Sequence, residues 1–155
     1  MELTQVHRPS IHEYFLNMLE LVASRGTCVR RKVGAIITDK ENHVLSTGFN
    51  GPPSGFDHCT SNPCAGANDK AGDTSNCMAL HAEVNAVLQC LDLSRAHTLY
   101  CSCVPCKSCA LMIANTSIDA VICVEDYADH RGIDILLERG CIVEVAGRVL
   151  NDEVD

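Results

Sequence analysis

The chain has 155 residues, a length that predicts one domain (residues 1–155) with a hydrophobic core. Hydrophobic residues make up 46% of the chain and charged residues 21%, which is typical of folded proteins rather than disordered or collagen-like ones. The formal net charge is -8. Because nucleic-acid-binding proteins usually carry a clustered basic surface, this charge argues against a nucleic-acid partner.

The sequence also indicates a compartment. It has no run of about 18 uninterrupted apolar residues, so we expect no membrane-spanning helix and no membrane partner. The first ten residues have no apolar segment of the signal-peptide type. We therefore expect a cytoplasmic protein. In a reducing compartment, 11 cysteines indicate metal binding or buried thiols rather than a disulfide framework.

The predicted elements begin with a helix, Ile11–Ser24, because Ser10 and Glu13 have the spacing of a capping box and apolar residues then recur at helical spacing. Strands follow at 33–38 and 44–49, joined as a hairpin, and then a long loop at about 50–77 that is rich in Gly, Pro, Asn and Ser. The remaining predictions are a helix at 79–91, a strand at 98–102, a helix at 107–115, a strand at 120–124, a helix at 132–139, a strand at 142–145 and an acidic tail at 151–155.

The order of these elements predicts the fold class. Strands that alternate with helices in the second half imply parallel pairing, and the hairpin adds an antiparallel pair. The sequence therefore predicts an α/β fold with a mixed five-stranded sheet covered by helices.

Two motifs at predicted helix starts carry the residues suited to metal chemistry. Cys106 and Cys109 form a Cys-x-x-Cys pair, in which two thiolates can converge on one metal ion, and the helix dipole favours their deprotonated form. His81, about 25 residues earlier, would be the third ligand. Three protein ligands leave the fourth position of Zn²⁺ open for water, which is the arrangement of a catalytic site.

Glu83 lies two residues after His81 and is the predicted catalytic residue. It would take a proton from water, protonate the ring nitrogen under attack and protonate the departing ammonia. This pairing of motifs is the known signature of zinc-dependent nucleobase deaminases, so the mechanism is matched rather than derived. The alternative is a closed structural zinc site with Cys101 or Cys103 as the fourth ligand, which would leave Glu83 without a role.

A second group of cysteines lies in, beside or near the long loop. Its members are Cys28, Cys59, Cys64 and Cys77. A second, structural Zn²⁺ held by four thiolates would tether a loop of this length. His58 could replace one thiolate, because imidazole is an equally good ligand. The alternative is that these are ordinary buried thiols.

Around these motifs the sequence resembles the deoxycytidylate (dCMP) deaminases of the cytidine deaminase-like superfamily. The resemblance covers roughly residues 8–145. It rests on both metal motifs, on Thr27-Cys28-Val29-Arg30-Arg31 and on the segment Gly48-Phe49-Asn50-Gly51-Pro52-Pro53-Ser54-Gly55. The sequence departs from the family where Val104 replaces a polar residue and Phe49 replaces the commoner Tyr.

The resemblance implies a three-layer α/β/α fold and the hydrolysis of dCMP to dUMP and ammonia, which supplies dUMP for thymidylate synthesis. It also implies a homohexamer that dCTP activates and dTTP inhibits, with Mg²⁺ accompanying the effector triphosphate. Alternatives are a deaminase of dCTP or of a base in nucleic acid, and a non-catalytic nucleotide-sensing protein.

The resemblance further implies roles for individual residues. The implied substrate-binding residues are Asn50, Ala82 and Tyr127. The implied effector-binding residues are Arg8, Arg30, Gly48, Asn50 and Gly51. Independently of the family, glycines allow backbone N–H groups to approach phosphate, and Arg offers a planar fork suited to it. The alternative is that Gly48 to Gly55 forms only a turn and that both Arg side chains are solvated.

Overall fold

The computed structural model describes residues 6–151. The helices are α1 (Ile11–Ser24), α2 (Ala82–Gln89), α3 (Lys107–Ala114) and α4 (Arg131–Glu138), with a short 3₁₀ helix at Leu93–Arg95. The strands are β1 (Gly34–Thr38), β2 (Val44–Phe49), β3 (Thr98–Cys103), β4 (Ala120–Glu125), β5 (Ile142–Val145) and β6 (Arg148–Val149). Residues 152–155 of the predicted acidic tail lie outside the described residues.

Helix α1 begins where the capping pattern predicts. The Ser10 hydroxyl accepts a hydrogen bond from the backbone N–H of Glu13 at 3.2 Å, and the Glu13 carboxylate accepts one from the backbone N–H of Ser10 at 2.6 Å. Two N–H groups that a helix start otherwise leaves unpaired are thereby satisfied. One turn apart, Phe15 and Leu19 are buried against the sheet. The predicted bounds of this helix are confirmed.

The strands form one sheet in the order β2-β1-β3-β4-β5-β6. β1 is antiparallel to β2 and β3, whereas β3, β4 and β5 are parallel and β6 returns antiparallel to β5. The predicted α/β class and mixed sheet are confirmed, but the prediction of five strands is wrong. The sixth strand has two residues and follows a turn in which Gly147 has φ +81°, so no apolar alternation marks it.

Helix α2 is shorter than predicted because its predicted first turn is extended. Leu80 forms an antiparallel bridge with Gly51, in which the Leu80 N–H donates to the Gly51 carbonyl at 2.8 Å. His81 then takes the N-cap position with ψ 154°, and the helix starts at Ala82. A pairing between residues so far apart in the chain overrides the local helical pattern.

Helices cover both faces of the sheet. Helix α1 packs on one face, where its apolar residues meet alternate residues of the strands, such as Ile36 and Tyr100. The other face carries α2, α3 and α4 around a larger core that contains Ala35 and Ile37. Because β1 lies between two helical layers, all five of its residues are buried. No helix within residues 6–151 is long and apolar enough to cross a membrane.

Candidate metal centre and active site

The two predicted metal motifs lie at the starts of two helices that share one face of the sheet. His81 is the N-cap residue of α2, and Cys106 is the N-cap residue of α3. Cys109 lies in the first turn of α3 and is 2% exposed. The sheet therefore carries the histidine and the thiol pair on neighbouring helix starts.

The structure brings these three side chains together. Nδ1 of His81 lies 3.5 Å from Sγ of Cys106 and 3.4 Å from Sγ of Cys109. Two ligands of a tetrahedral zinc ion, one sulfur and one nitrogen, are about 3.5 Å apart, given Zn–S and Zn–N bonds of about 2.3 and 2.0 Å. The donor set and its spacing therefore fit Zn²⁺.

A fourth protein ligand is not found within the described chain. The group that combines His81, Cys106 and Cys109 includes neither Cys101 nor Cys103. Burial raises the pKa of Cys103 to about 11 and that of Cys101 well above its usual value. The geometry favours an open site over the closed alternative.

The electrostatics of the pair Cys106 and Cys109 suit metal binding. Hydrogen bonds from Cys109 and His81 lower the pKa of Cys106 to about 3, so this residue carries a thiolate. The hydrogen bond with Cys106, together with burial, raises the pKa of Cys109. The hydrogen bond with Cys106 also raises the pKa of His81. One negative charge is thus already present at the helix start before the second thiol loses its proton.

Glu83 lies in the first turn of α2 and is 3% exposed. Burial raises the pKa of its carboxyl group. A carboxyl group with a raised pKa keeps its proton to a higher pH than an exposed one, so it can donate a proton as well as accept one. This arrangement is chemically suited to proton transfer.

Close packing, which the sequence did not indicate, holds both helix starts in place. A Cβ atom at Gly48 in β2 would overlap the carbonyl oxygen of Ala82, and one at Gly132 in α4 would overlap the carbonyl oxygen of Pro105. The Asn85 side chain donates to the carbonyl of Phe49 at 2.8 Å and so ties α2 to the end of β2. These glycines allow the backbone approach that places His81 and Cys106.

The residues implied for substrate binding occupy different environments. Ala82 is fully buried, whereas Tyr127 is exposed beyond the end of β4. Asn50 is buried, and its side chain bonds the chain that enters β1: its oxygen accepts from the Val33 N–H at 2.8 Å and its amide donates to the Arg31 carbonyl at 2.8 Å. In this structure the Asn50 side chain therefore has a structural role.

Most residues implied for effector binding have contacts within the chain. The Gly51 N–H donates to the Leu80 carbonyl at 3.2 Å. A side chain at Gly48 would overlap α2, which explains this glycine through packing. The guanidinium group of Arg30 donates to three loop carbonyls. Arg8 is exposed.

The structure brings together two of the four cysteines predicted to bind a second zinc ion. Sγ of Cys59 and Sγ of Cys64 are 3.7 Å apart, which agrees with about 3.8 Å for two thiolates on one tetrahedral zinc ion. A hydrogen bond from the Met78 backbone lowers the pKa of Cys64, so its sulfur lies near the loop end that contains Cys77. Within residues 6–151, no group of three ligand atoms within 4.8 Å includes these thiols, and the second zinc site stays a prediction.

A third cluster, at Asp39, Glu41 and His43, has a structural explanation. One Asp39 oxygen accepts from the backbone N–H groups of Glu41 and His43, and the other contacts the His43 ring and Arg95. The buried carboxylate is therefore satisfied by the chain, and it fixes the turn between β1 and β2.

Residues 9–125 match the family model of the cytidine and deoxycytidylate deaminase zinc-binding region. The chain is 39% identical over 123 residues to the deoxycytidylate deaminase of Mycobacterium phage D29, a match that covers 74% of this chain and 94% of the relative. It is 35% identical over 148 residues to that of Saccharomyces cerevisiae, covering 92% of this chain. The chain spans 46% of the length of the yeast relative.

A solved structure agrees with these matches. The dCMP deaminase of cyanophage S-TIM5, in complex with dCMP and dUMP, superposes with a TM-score of 0.72 at 32% identity. The match covers 90% of this chain and 99% of that one.

Proposed function

Because the chain belongs to the cytidine and deoxycytidylate deaminase family, we propose that it is a zinc-dependent hydrolase that converts dCMP and water into dUMP and ammonia. The observation that carries this proposal is the juxtaposition of His81, Cys106 and Cys109 with the buried carboxyl group of Glu83. The phage relatives, one of them solved with dCMP and dUMP, support the choice of substrate.

The residues of the site divide the chemistry between them. Bound Zn²⁺ supplies a Lewis acid and a nucleophile at neutral pH. His81, Cys106 and Cys109 hold it through one nitrogen and two sulfur atoms. Glu83 would take a proton from the attacking water and pass it to the ring nitrogen of the cytosine. It would then take the proton of the added hydroxyl group and pass it to the amino group, which leaves as ammonia. The raised pKa of Glu83 matches this role, because the carboxyl must be protonated for part of the cycle.

Ultraviolet-monitored deamination by zinc-replete protein tests the proposed substrate. We expect turnover of dCMP to exceed that of dCTP, cytidine and single-stranded DNA. If dCTP or a nucleic-acid base is turned over faster than dCMP, that compound is the substrate instead of dCMP. No turnover of any of the four would favour the non-catalytic alternative.

We also propose that dCTP activates the enzyme and dTTP inhibits it, with Mg²⁺ accompanying the triphosphate, and that its dUMP serves thymidylate synthesis. The resemblance to dCMP deaminases supports this regulation. Among the implied effector residues, Arg8 has an exposed side chain that can reach a phosphate. In the same assay, Arg8→Ala should weaken the effect of dTTP without changing basal turnover. If neither triphosphate changes the rate of turnover, the proposed regulation is wrong, whereas the proposed deamination of dCMP still stands.

We propose a homohexamer as the assembly. Several apolar side chains of α1, of α2 and of the segment just after α2 face solvent in the single chain and support contacts between copies: Tyr14, Leu21, Leu88 and Leu91. Sedimentation velocity should give the mass of six chains. A dimer or a single chain would overturn this assignment.

A further inference from the structure

Arg30 lies outside the long loop, and its side chain forms hydrogen bonds with three carbonyl groups of that loop. Its Nη1 donates to the carbonyl of Asp73 at 2.6 Å and to that of Gly66 at 3.3 Å, and its Nη2 donates to the carbonyl of Lys70 at 2.9 Å. The acceptors lie 36 to 43 residues further along the chain. A planar guanidinium can satisfy several carbonyls at fixed angles in this way, whereas a single ammonium cannot.

Two of the three acceptors are the two ends of one tight turn. The Asp73 N–H donates to the Lys70 carbonyl at 2.9 Å and closes a turn over residues 70–73. Gly72, the third residue of this turn, has φ +85°, the left-handed backbone that favours glycine at that position. Arg30 therefore holds a turn that already has a defined shape.

This turn lies beside the candidate active site. A Cβ atom built on Gly72 would be 3.9 Å from the hydroxyl of Tyr127. The loop that contains the turn is closed at its base by the bridge between Gly51 and Leu80, and the next residue is His81. The Val104 N–H donates to the Glu125 carbonyl at 3.2 Å, so the segments that lead to Cys106 and to Tyr127 leave the same end of the sheet side by side. Tyr127, and with it the turn at residues 70–73, therefore lies at the end of the sheet that carries Cys106.

We propose that Arg30 is a positioning residue that holds the 70–73 turn against Tyr127 and so shapes the mouth of the active site. The guanidinium group acts through the loop, without contact with the reacting atoms. This role is an alternative to phosphate binding by Arg30, because its fork already bonds three carbonyls. The link to dCMP rests on the proposed function, whereas the anchoring of the loop does not.

Limited trypsin digestion tests the anchoring without any activity measurement. Lys70 is exposed within the turn, and cleavage after it requires local opening of the loop. In the zinc-replete protein, Arg30→Ala should speed cleavage after Lys70 by about tenfold, because three hydrogen bonds are lost. Arg25→Ala, at the C-terminal end of α1, is the matched control and should cleave at the wild-type rate. An unchanged rate in Arg30→Ala overturns the proposal.

A pair of glycine variants tests the turn itself. Gly72 and Gly55 lie in the same loop with φ of +85° and +88°, and added Cβ atoms meet at most one atom within 4 Å. Gly72→Ala and Gly55→Ala therefore impose similar backbone strain. Gly72→Ala should reproduce the faster cleavage after Lys70, whereas Gly55→Ala should not. Equal effects of the two variants on cleavage after Lys70 would contradict a specific role for the 70–73 turn.

Steady-state kinetics with dCMP test the link to the active site. We expect Arg30→Ala and Gly72→Ala to raise KM by about fivefold with kcat changed less than twofold, because binding is disturbed and the reacting groups are not. Faster cleavage with an unchanged KM would overturn the role at the mouth of the site. Wild-type protein that does not deaminate dCMP would refute the proposed function, while the cleavage rates would still decide the anchoring.

Discussion

The carboxyl group of Glu83 is buried in the first turn of α2, next to the helix start that presents His81. Burial raises the pKa of this carboxyl group, whereas a hydrogen bond with Cys109 and the nearby His81 act in the opposite direction. At the residue scale, the proposed proton transfer therefore assigns the acid and base steps to one side chain.

Glu83→Gln removes the titratable group and keeps the shape. We expect kcat to fall by about 10²- to 10⁴-fold, the usual contribution of a positioned acid or base. Bound zinc, measured by atomic emission, should stay at the wild-type level, because Glu83 is not a ligand. Glu138→Gln, at the exposed end of α4, is the control. Undiminished turnover with zinc retained would rule out the proton-transfer role.

At the scale of elements, the contact between α4 and the start of α3 positions the thiol pair. Gly132 lies against the Pro105 carbonyl, one residue before Cys106. A side chain at Gly132 would overlap this carbonyl group, and a side chain at Gly48 would overlap the backbone of α2. Both close approaches therefore require glycine. The metal centre is thus held by helix packing as well as by its own ligands.

Gly132→Ala tests this packing. Over-packing at the contact should lower the free energy of unfolding by about 1–3 kcal/mol, and the displaced Cys106 should bind zinc more weakly. Urea unfolding and competition with a chelator measure the two effects, with Glu138→Ala in the same helix as the control. Zinc affinity equal to that of the wild type would show that α4 does not position the site.

The turn between β1 and β2 depends on a second element-scale contact. Burial acts to raise the pKa of Asp39, but hydrogen bonds from the His43 backbone and ring, and from Arg95, outweigh it and hold the pKa below its usual value. A carboxylate with a lowered folded-state pKa stabilises the fold above its unfolded-state pKa, about 3.9, and this contribution is lost as pH falls through the lower folded-state pKa.

Asp39→Asn should therefore destabilise the protein most at neutral pH. The difference in unfolding free energy from the wild type should shrink as pH falls below about 4. Urea unfolding at pH 7 and pH 3.5 measures this, with the exposed Asp134→Asn as the control. A difference that stays constant with pH would show that Asp39 is not held ionised by these partners.

At the scale of the whole molecule, the long loop leaves the sheet at Gly51 and returns at Leu80, and its interior has no helix or strand within the described residues. Arg30 forms hydrogen bonds with three of its carbonyl groups. Cys59 and Cys64, whose Sγ atoms are 3.7 Å apart, lie within the loop. A loop of this length needs such tethers to stay ordered.

The metal content of the whole chain tests the second tether. We expect two zinc ions per chain in the wild type and one in Cys64→Ser, with increased cleavage of the loop by trypsin. Cys90→Ser, at the end of α2, should keep both ions. One zinc ion in the wild type would show that Cys59 and Cys64 are paired thiols without metal.

Local patterns were enough to predict several parts of this protein. The capping box at Ser10 predicted the bounds of α1, two neighbouring β-rich segments predicted the hairpin, and the alternation of strands with helices predicted the mixed sheet. The motifs at His81 and Cys106 indicated the candidate centre, because the residues that can bind a metal ion lie in short segments at helix starts.

Contacts between distant residues decided the rest. The bridge from Leu80 to Gly51 shortened α2, and a two-residue strand after Gly147 completed the sheet. The three carbonyl partners of Arg30, which lie 36 to 43 residues further along the chain, were not indicated by its local sequence. The sequence by itself determined the candidate residues for the chemistry, since that choice depends on residue type and short spacing. Only the tertiary structure decided what each backbone group and cation contacts, since that depends on which remote segments meet.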